Sequence, residues 1–229
     1  MIVNNIKTSP IEDLHKLNNA KLVDFAGWSM PIQYHSGIIN EHISTRNSCG
    51  LFDISHMGQI LISGADSKAL LEKITPSDIE KIKNGRVKYS FLLNNHGGII
   101  DDLMITNEGN GYFLVVNASR TKEGLDEIEN AANSFSDINI NHLEKNGMIA
   151  IQGPKAKDVA NEYFNEVNET MYFMDFINTK YKGNDVRISR IGYTGEDGFE
   201  ISSNSDTIFE ITKNISTDER VTMCGLGAR

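Results

Sequence analysis

The sequence predicts an α+β protein, with antiparallel sheets flanked by helices. Three observations carry this. Residues 86–117 read as three strands joined by two turn-rich loops: RVKYSFLL, NNHGG, IIDDLMIT, NEGNG and YFLVVN. Residues 186–202, VRISRIGYTGEDGFEIS, read as two more strands around a glycine-rich hairpin. Helical segments are interleaved with these strands, yet the clearest strand pairs are hairpins. That favours α+β over a doubly wound parallel sheet.

The other elements follow in order. Residues 1–19 read as an extended lead-in with a short helical turn. LVDFAGWSMPIQY, residues 22–34, mixes small, aromatic and proline residues and reads as strand and loop. Ser36 is a candidate N-cap for a helix to about Ser48, with Ile39 and Ile43 forming its apolar face and Gly50 ending it. MGQILIS, 57–63, reads as a strand, and GADSKALLEKI, 64–74, as a helix that Pro76 stops. A one-faced surface helix is expected over about 119–135, on the pattern Leu125, Ile128, Ala132. MIAIQGP, 148–154, reads as a strand, followed by an amphipathic helix to about Phe164. Ser205 is a candidate cap for a helix over about 206–214.

Composition narrows the function. The 229 residues carry 31 acidic and 22 basic side chains, a net charge of −9. A protein that neutralises many phosphates needs the opposite balance, so neither nucleic acid nor an anionic membrane is the expected partner. No run of 18 apolar residues could span a bilayer, and Met1–Pro10 shows no apolar leader. Cys49 and Cys224 alone form neither a disulfide framework nor a zinc site, and no metal is expected. The P-loop, the dinucleotide glycine fingerprint and the GxSxG elbow are missing from the sequence. His35 and His42 lie seven apart and read as ordinary surface histidines.

Three features remain. The first is Asp101-Asp102 in HGGIIDDLMI. On a strand the two point to opposite faces, Asp101 with Ile99, Leu103 and Ile105, Asp102 with Ile100, Met104 and Thr106. A carboxylate among apolar neighbours is costly unless something pairs with it, which is how an acid–base or cation-stabilising group is made. A solvated aspartate at a sheet edge is the competing reading, and both faces are apolar, so the pattern does not choose between them. The second is GYTGEDGFE, 192–200, where Tyr193 and Glu200 flank a tight turn. An aromatic beside a carboxylate suits a flat, nitrogen-rich heterocycle, although a simple decorated hairpin has the same pattern. The third is CGLGAR, which could present the Arg229 guanidinium to a carboxylate ligand.

These blocks occur in one order: VDFAGWSMPIQY, RNSCGLFDISHMGQI, YSFLLNNHGGIIDDLMI, FLVVNASR, AIQGP, GYTGEDGFEI and CGLGAR. In that order they resemble the T-protein family of the glycine cleavage system, the aminomethyltransferases. The resemblance runs from about Lys21 to Arg229. It implies transfer of a one-carbon unit from an aminomethyl group, carried on the lipoyl arm of the H-protein, to tetrahydrofolate as co-substrate. The products implied are 5,10-methylenetetrahydrofolate, ammonia and reduced lipoyl carrier, with lipoate only on the partner. Residue by residue, it implies that Asp101 is the catalytic aspartate. Met57 lines the pocket, and Tyr89, Val115 and Asn117 lie near the pterin. Tyr193 packs on the folate, Glu200 binds the pterin ring and Arg229 lies in the same site. Phe173 falls near a position often aromatic in the family.

The resemblance further implies a discontinuous folate-binding first domain, 1–54 plus 148–229, and an inserted second domain, 55–147, that holds the meander. The sequence given stops at Arg229, inside a motif that continues in the family, so the family's C-terminal barrel is not part of it. Two alternatives share the ancestry: a tetrahydrofolate-dependent demethylase, and a non-catalytic folate-binding protein of iron–sulfur maintenance. The expected compartment is the bacterial cytoplasm, with the mitochondrial matrix as the alternative.

Overall fold

A computed structural model describes residues 6–167 and 170–229. The chain divides into two compact units: residues 1–56 with 145–229, and residues 57–144.

The elements in chain order are β1 (Lys7–Thr8), α1 (Glu12–Leu17), β2 (Lys21–Phe25), β3 (Trp28–Gln33), α2 (Gly37–Asn47), β4 (Cys49–Asp53), β5 (Gly58–Ser63) and α3 (Ser67–Ile74). Then come β6 (Arg86–Leu93), β7 (Ile99–Asn107), β8 (Tyr112–Val116), α4 (Thr121–Ala132), β9 (Asn139–His142) and β10 (Asn146–Gln152). The last are α5 (Ala156–Tyr163), β11 (Phe176–Tyr181), β12 (Asn184–Ser189), β13 (Gly198–Asn204), α6 (Ser205–Ile215) and β14 (Val221–Cys224).

The first unit holds a six-stranded sheet in the order β11-β12-β13-β10-β4-β14, antiparallel except where β14 runs parallel to β4. Its core is Leu51, Ile149, Ile151, Ile188, Phe199 and Ile201 of the sheet against Val159, Ile208 and Ile211 of the helices. A three-stranded sheet, β1-β3-β2, belongs to the same unit. Its β2–β3 hairpin turns at Ala26-Gly27, both at positive φ, and Asp24 Oδ1 accepts the Gly27 N–H at 2.9 Å. The second unit is a five-stranded antiparallel sheet, β6-β7-β8-β5-β9. Leu103, Ile105, Leu114 and Ile60 on one face pack with Leu70, Leu71 and Ile128 of α3 and α4. The expected meander 86–117 is present as β6, β7 and β8, and the α+β class holds.

Helix α2 departs from expectation. Ile38, Ile39 and Ile43 are exposed, Ile39 by 75%, whereas Glu41 and Thr45 are fully buried. The buried face of this helix works by hydrogen bonding rather than by apolar packing. Glu41 Oε1 accepts the Tyr34 N–H at 2.6 Å, and Oε2 accepts the Gly225 N–H at 2.8 Å. The Thr45 hydroxyl donates to the Glu41 carbonyl. A carboxylate accepting two backbone donors can be buried where isoleucine could not satisfy them. Ile39→Lys should therefore change unfolding free energy by no more than about 0.5 kcal/mol in a denaturant titration, although a core isoleucine there would cost several times more.

Other corrections are local. Ser36 makes no capping bond to α2. The cap of α6 is Asn204, whose side chain accepts the Thr207 N–H, so Ser205 is already helical. Helix α4 begins at Thr121 after a 3₁₀ turn over Ala118–Arg120 and ends at Ala132. Strands β4, β9, β11 and β14 had no separate sequence signal. Among the described residues no helix is long and apolar enough to cross a membrane.

Candidate functional site

In the first unit, three segments bring Glu200, Arg229 and Tyr193 together. Glu200 stands on β13, paired across the sheet with Ala150 and Ser189. Arg229 follows β14 through a 3₁₀ turn over Leu226–Ala228. Gly225 opens that turn with its Cα against the Ile32 backbone, where a Cβ would sit 2.3 Å from the Ile32 carbonyl carbon. Glu41 holds the Gly225 N–H, so α2 fixes the approach of the arginine. The Arg229 guanidinium then reaches Glu200 at 3.2 Å, Nη2 to Oε1, and lies 5.7 Å from the Tyr193 ring centroid. Arg229 and Glu200 side chains are 15% and 10% exposed, while Tyr193 is 81% exposed.

The loop carrying Tyr193 is pinned from below. Gln152 Nε2 donates to the Ile191 carbonyl, and the Thr194 hydroxyl donates to Gln152 Oε1 at 2.8 Å. Gly198 closes the loop where a Cβ would meet the Ile151 carbonyl oxygen at 2.4 Å. Arg190 forks onto both oxygens of Asp197, at 2.9 and 2.6 Å, and Arg46 holds Glu196 at 2.8 Å.

Burial pushes the Glu200 carboxyl above its ordinary value, and Arg229 only partly offsets it. The folded state therefore binds this proton more tightly than the unfolded chain. That contribution to stability is complete below the ordinary carboxyl value of 4.5 and is lost as pH rises through the raised value. The ionised carboxylate is poised for a ligand that donates to it. Glu200→Gln should remove this pH dependence: thermal unfolding above pH 5 should fall less steeply than in the wild-type chain.

The same unit holds a buried network of which the residue pattern gave no hint. Asp53, at the end of β4, accepts from the Ser9 hydroxyl, meets His15 Nε2 at 2.8 Å and accepts the Ser55 N–H at 2.8 Å. His15 Nδ1 meets the Tyr34 hydroxyl at 2.8 Å. Burial opposes ionisation of Asp53, but the bonds and charge of His15, with Ser9 and Ser55, hold its carboxyl below the ordinary value. Burial raises the Tyr34 phenol. Beside this network His56 is 4% exposed, with the Phe25 ring edge-on at 5.3 Å. Burial lowers its pKa to about 4, with Arg229 adding to the shift against Asp53, so the imidazole is neutral near pH 7.

In the second unit, Asp101 lies on the β7 face that carries the core residues Leu103 and Ile105. Its partner is Asn117, just past β8. The Asn117 N–H donates to Asp101 Oδ2 at 3.1 Å, and Nδ2 donates to Oδ1 at 2.8 Å. The same amide reaches Asp102 Oδ1 at 2.9 Å. The opposite sheet face carries the row Tyr89–Met104–Val115–Gln59, read across four strands. Tyr89 and Val115 therefore share a face with Asp102 and not with Asp101. Tyr89 is half-exposed, Val115 is buried, and Met57 is half-buried just before β5. Phe173 is exposed in the turn before β11, and no described contact joins it to Glu200 or Arg229.

A groove of about 730 Å³ in this unit is lined by Lys81, Lys83, Arg86 and Lys88 and by none of the candidate residues. Among the described residues no cluster of three metal-ligating side chains occurs. Cys49 and Cys224 are buried free thiols, both pushed up to about 12, chiefly by burial.

Residues 11–229 match the family described as the GCVT N-terminal domain. The chain belongs to that family. Among similar proteins, the aminomethyltransferase of Staphylococcus saprophyticus is 41% identical over 228 residues, covering 99% of this chain and 62% of the relative. The mitochondrial aminomethyltransferase of Dictyostelium discoideum is 39% identical over 239 residues, covering 99% and 59%. The crystal structure of glycine cleavage system aminomethyltransferase T from Bartonella henselae superposes with a TM-score of 0.91 at 37% identity, covering 97% of this chain and 60% of that one. Heterotetrameric sarcosine oxidase from Corynebacterium sp. U-96, TM-score 0.57 at 15% identity, shares the fold. The chain thus spans about 60% of the length of the curated GCVT-family relatives it matches. The family resemblance seen in the seven ordered sequence blocks is confirmed.

Proposed function

We propose that this chain carries the folate-binding and acid–base residues of an aminomethyltransferase of the glycine cleavage system. The observation that supports this most is the Glu200–Arg229–Tyr193 cluster, in a chain 35–41% identical to proteins named aminomethyltransferase. A carboxylate accepts ring N–H bonds, a guanidinium donates, and an exposed aromatic face offers a stacking surface. That set suits the pterin of tetrahydrofolate. The donor is an aminomethyl thioether on the lipoyl arm of the H-protein.

The reaction balances without a covalent enzyme intermediate. Both folate nitrogens bond to the methylene carbon, its bonds to nitrogen and to sulfur break, and the two folate protons end on ammonia and on the thiol. Asp101 is assigned the proton handling and the stabilisation of positive charge at the carbon. Asn117 fixes the orientation of that carboxylate and leaves lone pairs free on both oxygens. Orientation of the two substrates supplies much of the remaining acceleration.

The test is turnover by this chain with aminomethylated H-protein and tetrahydrofolate. Ammonia release that needs both substrates is expected. Product formed from a small methylated donor without the carrier would favour a demethylase. Folate binding with no turnover would favour the non-catalytic relative.

A further inference from the structure

Two buried side-chain atoms among the described residues lack a hydrogen-bond partner: His56 Nδ1 and Arg229 Nε. Both lie in the first unit, on segments that approach β13, the strand of Glu200. Arg229 contacts the Glu200 carboxylate directly, and His56 follows Ser55, whose hydroxyl bonds to Met148, the cross-strand partner of Ser202 two residues along β13 from Glu200. Buried polar groups are nearly always paired, so orphans on the two segments that approach this strand mark atoms that face a ligand.

His56 is also held firmly. Ser55, before it, gives its N–H to Asp53 Oδ1, and its hydroxyl bonds to both the carbonyl and the N–H of Met148. The Phe25 ring closes on the imidazole edge-on. The ring is neutral near pH 7, so it adds no second cation beside Arg229. A neutral imidazole nitrogen can donate or accept, according to its tautomer. Arg229 Nε–H can only donate, and ionised Glu200 can only accept.

We propose that His56 is a ligand-reading residue of the Glu200–Arg229 site, its Nδ1 pairing with a polar ring atom of the same heterocycle that donates to Glu200 and accepts from Arg229 Nε. This rests on the reading that the heterocycle is the pterin of tetrahydrofolate. It adds a specificity contact: a ring lacking the polar atom opposite His56 leaves the imidazole unpaired and binds less well.

The experiment is a calorimetric titration of tetrahydrofolate into the full 229-residue chain and into His56→Phe and His56→Asn, with thermal unfolding of each. Phenylalanine removes the orphan and keeps a ring against Phe25, so His56→Phe should unfold at no lower a temperature. It should bind about tenfold more weakly. Asparagine places a polar atom near the Nδ1 position and should recover binding to within about threefold. The His56 ring ¹⁵N resonances of the wild-type chain should move on titration, a readout that does not depend on any variant folding. Unchanged binding by His56→Phe, or unmoved resonances in a chain that binds, overturns the inference while leaving the folate reading intact. Absence of binding by the wild-type chain overturns both; where the wild-type chain binds, Glu200→Ala run in parallel tests the folate reading separately from His56.

Discussion

Asp101→Ala is expected to lower turnover by about 10²–10⁴-fold, the range typical of removing a positioned acid–base group, with little change in tetrahydrofolate affinity. The two proposed roles fall to residues of different units. Asp101 is on β7 of the second unit, anchored to Asn117, whereas Glu200 and Arg229 are in the first unit. Asp101→Asn should be nearly as slow, because the amide keeps the shape but turns one acceptor oxygen into a donor facing Asn117. Steady-state rates beside binding isotherms for both variants check this. A loss confined to KM, with kcat preserved, would reassign Asp101 to substrate binding.

Asp53→Ala should cost about 2–4 kcal/mol of stability, because it leaves the buried Ser9, His15 and Ser55 groups without the carboxylate they bond to. Two segments meet at this carboxylate: the stretch of Ser9 and His15, which leads into and forms α1, and the end of β4 with Ser55. Its removal strands His15 and frees the turn that places His56. The carboxyl is held below the ordinary value, so its contribution is present above that value and is lost as pH falls through the lowered one. Denaturant unfolding at pH 7 and in acid reads both effects. The gap between wild type and variant should narrow in acid, and a cost under about 1 kcal/mol at pH 7 would show that this carboxylate does not hold the network together.

The hairpins were legible because strand alternation and turn residues are local. Thus β6–β7–β8 and β12–β13 could be read from the chain alone. Strand β4 was not legible: CGLFD is short, buried along its whole length, and formed by β10 and β14, nearly 100 and 170 residues away in sequence. Helix α2 misled for a physical reason. Its isoleucines suggested an apolar inner face, but the Tyr34 and Gly225 N–H groups need Glu41 there.

Tyr193, Glu200 and Arg229 were found through their family blocks, and the structure does bring them together. The Asp53–His15–Tyr34 network was missed because its members lie 38 and 19 residues apart and carry no spacing rule. His56 stood within the block FDISHM, yet only its burial and its unpaired nitrogen single it out. On β7 the alternation left open which aspartate turned to the core. Register answers it: Asp101 does, leaving Asp102 with Tyr89 and Val115.

The most direct test of the central claim is calorimetric titration of tetrahydrofolate into this chain beside Asp101→Ala and Glu200→Ala. Glu200→Ala should weaken binding by about tenfold or more, as expected for a lost charge-assisted bond, while Asp101→Ala binds nearly as wild type. Equal affinity of Glu200→Ala and the wild-type chain would contradict that claim.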